Sequence, residues 1–349
     1  MAKSKGSHIL VIRLSALGDV AMTIPVLFGL TKQYPELRIT VLTRAFFKPL
    51  FEALPACEVY EADVKKKHKG FAGLWKLYKE LKSLDISMVA DLHNVLRSNI
   101  LKRFFSISRI PFVQIDKGRS EKGALTKGRM FEPLKNTWQR YSDVFEALGL
   151  PVPPERMDVL PKPDLAQEVA NMVGDDHRKW LGIAPFAAFP GKMYPLQLME
   201  EVIQTLDNTN KYKILLFGGG KQEVETLDKW ASKYANTTSV AGKLNFSSEL
   251  GLISRLDLML SMDSGNGHLA AVYGVPVVTL WGVTHPYAGF APFRQPPENA
   301  LCADRTRFPR IPTSVYGNKL PKGYEKAMAT ILPQQVIDKV MATLADSTN

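Results

Sequence analysis

Cysteine is almost missing from this 349-residue chain: only Cys57 and Cys302 occur, far apart in sequence. Two such residues build neither a disulfide framework nor a zinc site, and their scarcity fits a reducing, cytoplasmic setting. Long apolar runs are missing as well. No stretch approaches the roughly 20 residues that span a bilayer. The short run His8–Leu14 is interrupted by Arg13 and lacks a cleavage site, so the start reads as a first strand and no signal peptide is expected. Histidine is sparse, with six in all. No D-x-D occurs, and no G-x-G-x-x-G opens the first strand–helix turn. Gly218-Gly219-Gly220-Lys221 fails the phosphate-loop spacing because Gln222 follows the lysine. No metal site is expected from this sequence.

What is present is ordinary for a globular protein, with a hydrophobic fraction of 45% and a charged fraction of 23%. The length exceeds the usual limit of one core, so two domains are expected. The net charge of +11 is uneven: residues 1–160 hold 26 Lys+Arg against 16 Asp+Glu, whereas residues 161–349 hold 19 against 18. The basic first half favours an anionic partner. Nucleic acid is not expected, because no reader motif occurs and the basic runs lack aromatics spaced for stacking.

Strand and helix patterns alternate along both halves. In the first, the expected strands are His8–Leu14, Arg38–Thr43, Glu58–Tyr60 and Ile86–Leu92, with helices over Val20–Lys32, Phe46–Ala53 and Gly73–Leu84. The pattern breaks at the prolines of residues 149–164 and then resumes. In the second half the expected strands are Trp180–Ala184, Lys213–Phe217, Thr238–Ala241, Leu256–Ser261 and Val275–Leu280. The expected helices are Leu196–Leu206, Glu223–Tyr234, Ser247–Ile253, one starting over Gly267–Val272, and Pro333–Leu344. Such alternation predicts an α/β chain of two Rossmann-like, doubly wound parallel-sheet domains with a ligand between them. The domains are placed at 1–160 and 161–349, with the last helix a candidate to pack back on the first domain.

Open α/β sheets bind ligands at the carboxyl ends of their strands, where helix N-termini present N–H groups to anions. Four such ends carry unusual residues. In Arg13-Leu14-Ser15-Ala16-Leu17-Gly18-Asp19, Ser15 and Gly18 suit a turn that lets backbone approach a ligand. Asp19 is either a helix cap or a general base for an attacking hydroxyl. Lys192, in a loop crowded with proline and aromatics, is either solvated or a cation for a departing diphosphate. After Gly218-Gly219-Gly220, Glu223 is placed to accept from ribose hydroxyls. The segment Asp263-Ser264-Gly265-Asn266-Gly267-His268 joins a strand to a helix start and forms an anion cradle, to which His268 could add a hydrogen bond.

Taken together, Ile12 through Val20, Asp91-Leu92-His93 with Arg97-Ser98, Lys192-Met193-Tyr194-Pro195, Gly218-Gly219, and Asp263-Ser264-Gly265 through Ala271 with Gly274-Val275-Pro276-Val277 resemble the lipopolysaccharide heptosyltransferases, glycosyltransferase family 9. The resemblance covers nearly the whole chain. It implies the GT-B arrangement of two facing Rossmann-like domains and inverting, metal-independent transfer of a heptose from ADP-heptose to the inner core of lipopolysaccharide. No cofactor is implied beyond the nucleotide-sugar co-substrate. Asp19 matches the family's base, Lys192 its diphosphate-contacting lysine, and Asp263, Ser264, Gly265 and His268 its donor loop. Ser15, Gly18, Gly219 and Glu223 join the donor set, with Glu225 a rival for the ribose. An anionic, lipid-linked saccharide acceptor is expected on Lys65, Lys66, Lys67, Arg97 and Arg119, and with it peripheral contact with the inner-membrane surface. Ala187-Ala188, Tyr194 and Asn266-Gly267 depart from the family's usual residues. The alternatives are transfer from another nucleotide sugar, or a sugar-nucleotide epimerase of like layout, which usually needs more cleft carboxylates and histidines.

Overall fold

The computed structural model describes residues 7–174 and 176–346. The stretch Met1–Gly6, part of the start read as free of a signal peptide, lies outside the described residues. The chain divides into two compact units, residues 1–117 with 137–161 and residues 118–136 with 162–349.

The elements of the first 161 residues are β1 (His8–Ile12), α1 (Leu17–Ala21), α2 (Ile24–Gln33), β2 (Arg38–Thr43), β3 (Cys57–Glu61), α3 (Gly70–Lys82), β4 (Met88–Asp91), α4 (Leu96–Ile107), β5 (Phe112–Gln114), α5 (Arg119–Thr126) and α6 (Thr137–Ala147). All strands of this five-stranded sheet pair in parallel, in the order β3-β2-β1-β4-β5. The strand β1 is buried along its whole length, as its apolar run Ile9-Leu10-Val11-Ile12 requires of a central parallel strand.

Two expected helices take another form. The apolar stretch 20–32 breaks at Met22-Thr23, because Pro25 has no N–H to give Ala21 and is tolerated only in a first turn; the helix restarts there, and the Thr23 hydroxyl bonds Val20 O at 2.7 Å. The stretch 46–53 forms a 3₁₀ turn over Ala45–Leu50 that contains Pro49.

The second unit continues with α7 (Gln167–Val173), β6 (Lys179–Ala184), α8 (Leu196–Asn208), β7 (Tyr212–Leu216), α9 (Lys221–Lys233), β8 (Thr237–Ser239), α10 (Phe246–Ile253), β9 (Leu258–Met262), α11 (Gly265–Val272), β10 (Val277–Trp281), β11 (Ala300–Cys302) and α12 (Pro333–Asp346). Its six strands are parallel in the order β11-β10-β9-β6-β7-β8. The apolar stripe Val336, Ile337, Val340 and Leu344 of α12 is buried in this unit's own core with Val202, Leu206 and Leu258, so the last helix packs here. The segment 118–136, counted by sequence with the first domain, also belongs to this unit. Leu125 and Leu134 pack on Ala288, and Leu134 N donates to Tyr287 O at 2.9 Å. Among the described residues no helix is long and apolar enough to cross a membrane.

Both sheets reverse direction of growth once, between β1 and β4 in the first unit and between β6 and β9 in the second. At such a switch point the neighbouring loops part to opposite faces and leave a crevice at the strand ends.

Candidate active site

In the first unit the switch point gathers the loops after β1 and β4. Arg13 leaves β1 almost wholly buried, and its Nη1 donates to Leu92 O at 2.6 Å. Its Nη2 pairs with Asp19 Oδ2 at 2.5 Å; the arginine side chain is 6% exposed and the aspartate 27%. Although burial opposes the charge, Tyr141 and Asp19 raise the guanidinium further above its ordinary value. The same Oδ2 accepts Ala16 N at 3.3 Å, and Tyr141 Oη donates to Asp19 O at 3.2 Å. The cap reading of Asp19 is thus realised by one oxygen, which is also the one tied to Arg13. Ser15 precedes α1 and Gly18 lies in its first turn, both half-buried.

Across the switch point, Asp91 is buried at the end of β4 and accepts His93 N at 2.9 Å, Asn94 N at 3.0 Å and Gln114 Nε2 at 2.8 Å. These bonds fold the chain back so that His93 Nε2 lies 3.5 Å from Ser15 Oγ. Burial, then the charges of Arg13 and Lys117, push the His93 imidazole down to about 3, so it is neutral at ordinary pH.

The expected acceptor cations are dispersed. Lys65 and Lys66 are exposed in the turn after β3, where Asp63 accepts Lys66 N at 3.0 Å. Lys67 pairs with Glu80 at 3.0 Å, and His68 Nε2 meets the same carboxylate at 3.0 Å. Burial favours the neutral acid, but the bonds from Tyr60, Lys67 and His68 prevail and hold Glu80 down to about 2. The basic run is therefore part structural: Lys67 and His68 tie the turn to α3. Arg97 is exposed in the first turn of α4, and Arg119 is exposed on α5 in the other unit. Lys122, from the same basic run, is buried with its ammonium 4.1 Å from the Phe290 ring centre.

In the second unit the switch point brings together two segments 71 residues apart. Lys192 ends the 3₁₀ turn after β6, and Asp263 follows β9. Lys192 Nζ lies 2.9 Å from Asp263 Oδ2, with the side chains 15% and 9% exposed. The Thr284 hydroxyl donates to that same oxygen at 2.8 Å. Gly317 has a left-handed φ of +81°, and a Cβ there would overlap Cδ and Cγ of Lys192, so the glycine lets this turn lie against the lysine stem.

Ser264 is the N-cap of α11, yet its side chain makes no capping bond, and its Oγ is buried without a partner in the protein. A buried hydroxyl at a helix start, beside the N–H groups of the first turn, fits an anionic oxygen. Gly267 is forced by packing, since a Cβ would come 2.5 Å from Ser261 Oγ and lift α11 off β9. Gly265 is half-buried in the first turn and His268 is buried one turn in. At the end of β7, Gly219 N donates to Glu223 Oε2 at 2.7 Å, and a Cβ on Gly218 would meet Leu227 at 2.9 Å. Glu225 is exposed and turned toward Lys221, in a groove with Leu196, Lys229 and Trp230. Glu223 therefore holds the glycine loop and Glu225 does not. Among the described residues no group of three or more His, Cys, Asp or Glu is placed to hold a metal ion.

Arg13, His93, Thr284 and Gly317 were missed as site residues by sequence reasoning. Arg13 and His93 stand within the quoted motifs, and Thr284 follows Trp281-Gly282-Val283 directly after a strand; nothing in the sequence around Gly317 points to Lys192.

Two successive doubly wound parallel sheets, each with its polar residues gathered at a switch point, have the architecture of the GT-B glycosyltransferases. The chain belongs to glycosyltransferase family 9 (heptosyltransferase), whose profile matches residues 74–305, and it is a glycosyltransferase. It is 27% identical over 295 residues to the lipopolysaccharide core heptosyltransferase OpsX of Haemophilus influenzae, covering 83% of this chain and 82% of that one. Among solved structures it is similar to the family 9 glycosyl transferase of Veillonella parvula, with TM-score 0.75, 20% identity, and 97% and 98% of the two chains covered. It is also similar to the E. coli ADP-heptose lps heptosyltransferase II, with TM-score 0.69, 21% identity, and 98% and 100% covered. At those identities the likeness is one of fold. Lys192, Asp263 and Thr284 fall within the matched residues; Arg13 and Asp19 precede them.

Proposed function

We propose that this protein moves a heptose from ADP-heptose to the inner core of lipopolysaccharide, with inversion at the anomeric carbon. The reading agrees with the names of its relatives, a lipopolysaccharide core heptosyltransferase and an ADP-heptose-using enzyme. The observation that carries it is the half-shielded Lys192–Asp263 pair beside the N-terminus of α11.

Lys192 has three N–H donors, of which Asp263 needs one. The others are available to the diphosphate, together with Ser264 Oγ and the N–H groups of Gly265 and the first turn. A carboxylate repels a diphosphate, so Asp263, with Thr284, holds the lysine and does not itself touch phosphate. His268 adds a contact one turn along, and Glu223 and Gly219 take the ribose. The acceptor hydroxyl oxygen attacks the anomeric carbon as the bond to the β-phosphate oxygen breaks. The proton passes to Asp19, and ADP leaves with the bonding electrons, its charge compensated by Lys192. Because Oδ2 of Asp19 is taken by Arg13 and Ala16, Oδ1 is the oxygen assigned to the proton. Ser15 and Gly18, at the start of the helix that carries the base, serve the reacting sugar there. Lys65, Lys66 and Arg97 of the first unit meet the anionic groups of the acceptor. The chemistry so described uses no metal.

Thermal shift with ADP, UDP and GDP tests the donor, followed by transfer to a heptose-deficient core with the product's anomeric configuration read by NMR. Stabilisation by ADP alone is expected; a preference for UDP sinks the ADP-heptose reading and leaves glycosyl transfer standing.

A further inference from the structure

Helices α3 and α4 lie side by side on the first unit, and their shared seam runs out into solvent. Phe71 and Trp75 stand one turn apart on α3 and both meet Phe104 of α4 edge-on, at 5.3 and 4.9 Å between ring centres. On α4 the residues Leu96, Ile100, Phe104 and Ile107 follow one another at helical spacing along one ridge. Phe104 is covered, but Phe71 is 67% exposed, Trp75 39%, Leu96 76% and Ile107 70%. A single apolar residue on a surface needs no explanation; four on two adjoining ridges form a patch that does.

The charge around this patch is one-sided. Residues 65–109 carry eleven Lys and Arg against three Asp and Glu. Of those acids Asp91 is buried and Glu80 is engaged by Tyr60, Lys67 and His68, which leaves Asp85 exposed. Lys76 and Lys79 follow Trp75 on α3, Lys102 and Arg103 precede Ile107 on α4, and Lys69 precedes Phe71; all five are exposed.

We propose that this face, with Phe71, Trp75, Leu96 and Ile107 inside a rim of lysine and arginine, docks the first unit on an anionic lipid bilayer. Aromatic and aliphatic side chains enter the headgroup–acyl boundary, and the long cations reach anionic headgroups while their stems cover apolar surface. An acidic protein surface could answer the rim, but the one-sided charge around projecting aromatics is that of an interfacial anchor. The patch also begins at the sheet edge that carries the base. α3 starts after the loop leaving β3, α4 starts directly after β4, and the carboxyl end of β1 is at most two strand spacings, about 10 Å, from either. A docked unit presents Asp19 near the bilayer, where a lipid-linked acceptor is found. That purpose rests on the proposed acceptor; the docking does not.

The test uses the full chain and vesicles without donor or acceptor. Co-sedimentation is expected with vesicles of phosphatidylethanolamine and phosphatidylglycerol and not with phosphatidylcholine alone, and it should weaken as salt rises. The double substitution Phe71→Ser, Trp75→Ser should lower vesicle partitioning about tenfold or more. Brominated acyl chains should quench a fluorescence component that Trp75→Phe removes. If the serine variant is poorly folded, as ADP-induced thermal shift would reveal, Lys76→Glu with Lys79→Glu makes the same test from the surface. Binding equally to phosphatidylcholine, or undiminished binding by both variants, overturns the proposal. So does a patch variant that alters the sedimentation of the protein alone, which would make this face a contact between copies. Because neither substrate is present, failure here leaves the transferase reading intact, and an absent ADP response leaves the docking intact.

Discussion

The two switch points use the same device with the charges exchanged. In the first unit a buried cation, Arg13, holds a more exposed carboxylate, Asp19; in the second a buried carboxylate, Asp263, holds a more exposed cation, Lys192. In both pairs the deeper member has a second fixed tie, Arg13 to Leu92 O and Asp263 to Thr284. A long or mobile charged side chain loses rotamer entropy whenever it is aimed, and an opposite charge fixed in the sheet edge supplies that aim beforehand. The difference lies in which sign faces outward: a carboxylate suited to taking a proton, and an ammonium suited to a leaving phosphate.

The comparison is broken most directly by removing the outward members. Asp19→Asn keeps an oxygen for Arg13 but cannot take a proton. Transfer should fall about a hundred- to ten-thousandfold in kcat, while ADP-induced stabilisation is unchanged. Near-normal kcat in a folded Asp19→Asn protein would exclude the base assignment. Lys192→Ala should lower kcat about a hundred- to a thousandfold and weaken ADP binding. It should also cost about 3 kcal/mol or more of stability, because Asp263 is left buried beside Thr284 with no cation. Adding Asp263→Asn to Lys192→Ala should recover most of that stability and none of the ADP binding. Recovery of both would show that the lysine serves the fold alone.

Much of this was legible before the fold was known, and the rest was illegible for definite reasons. The strand Arg38–Thr43 is found where the sequence places it, because a short β-rich run between turn residues has no competing reading. Asp19, Lys192 and Asp263 stand out because each is a charged residue shortly after an apolar strand run. Their pairing does not, since which strand ends are neighbours depends on strand order, and only the β6–β9 adjacency brings residue 192 to residue 263. The segment 118–136 has too little apolar periodicity to declare its unit; Leu125 and Leu134 find their partners some 150 residues away in the chain, at Ala288. The turn at Gly317 lies in a long irregular stretch between β11 and α12, where neither the 3.6-residue nor the two-residue period exists to be read.

That turn provides a smaller perturbation of the second switch point. Gly317→Ala adds a methyl group against the stem of Lys192 at a backbone angle that disfavours a side chain. It should cost about 1–3 kcal/mol of stability. It should also weaken ADP binding by displacing the ammonium, whereas Gly323→Ala, with a similar φ and open space around it, should lower stability and leave ADP binding alone. Equal ADP affinity in both variants would separate the Gly317 turn from the lysine.

The smallest effect concerns pH and again sets one unit against the other. His93 beside Arg13 is pushed down from 6.5 to about 3, and His285 next to Thr284 from 6.5 to about 4, burial being the larger cause in both, with Arg13 and Arg305 respectively the leading charges. In each case the folded protein resists a proton that the unfolded chain accepts. The stability from keeping the ring neutral is complete above pH 6.5 and is lost as pH falls toward the folded value. One such proton changes stability by at most about 1.4 kcal/mol per pH unit, so going from pH 6.5 to pH 5 costs at most about 2 kcal/mol for each histidine. Urea denaturation at neutral pH and near pH 5 should show His93→Gln losing less stability on acidification than the parent, with His285→Gln behaving alike. Replacing Arg13 with methionine should shrink the His93 effect and leave that of His285 untouched, because the guanidinium repels a protonated ring only in the first unit. Equal acid sensitivity in parent and His93→Gln would show that the ring is protonated in the folded state, and the approach of the loop after β4 to Ser15 would then be made by a charged imidazole and not by a neutral one.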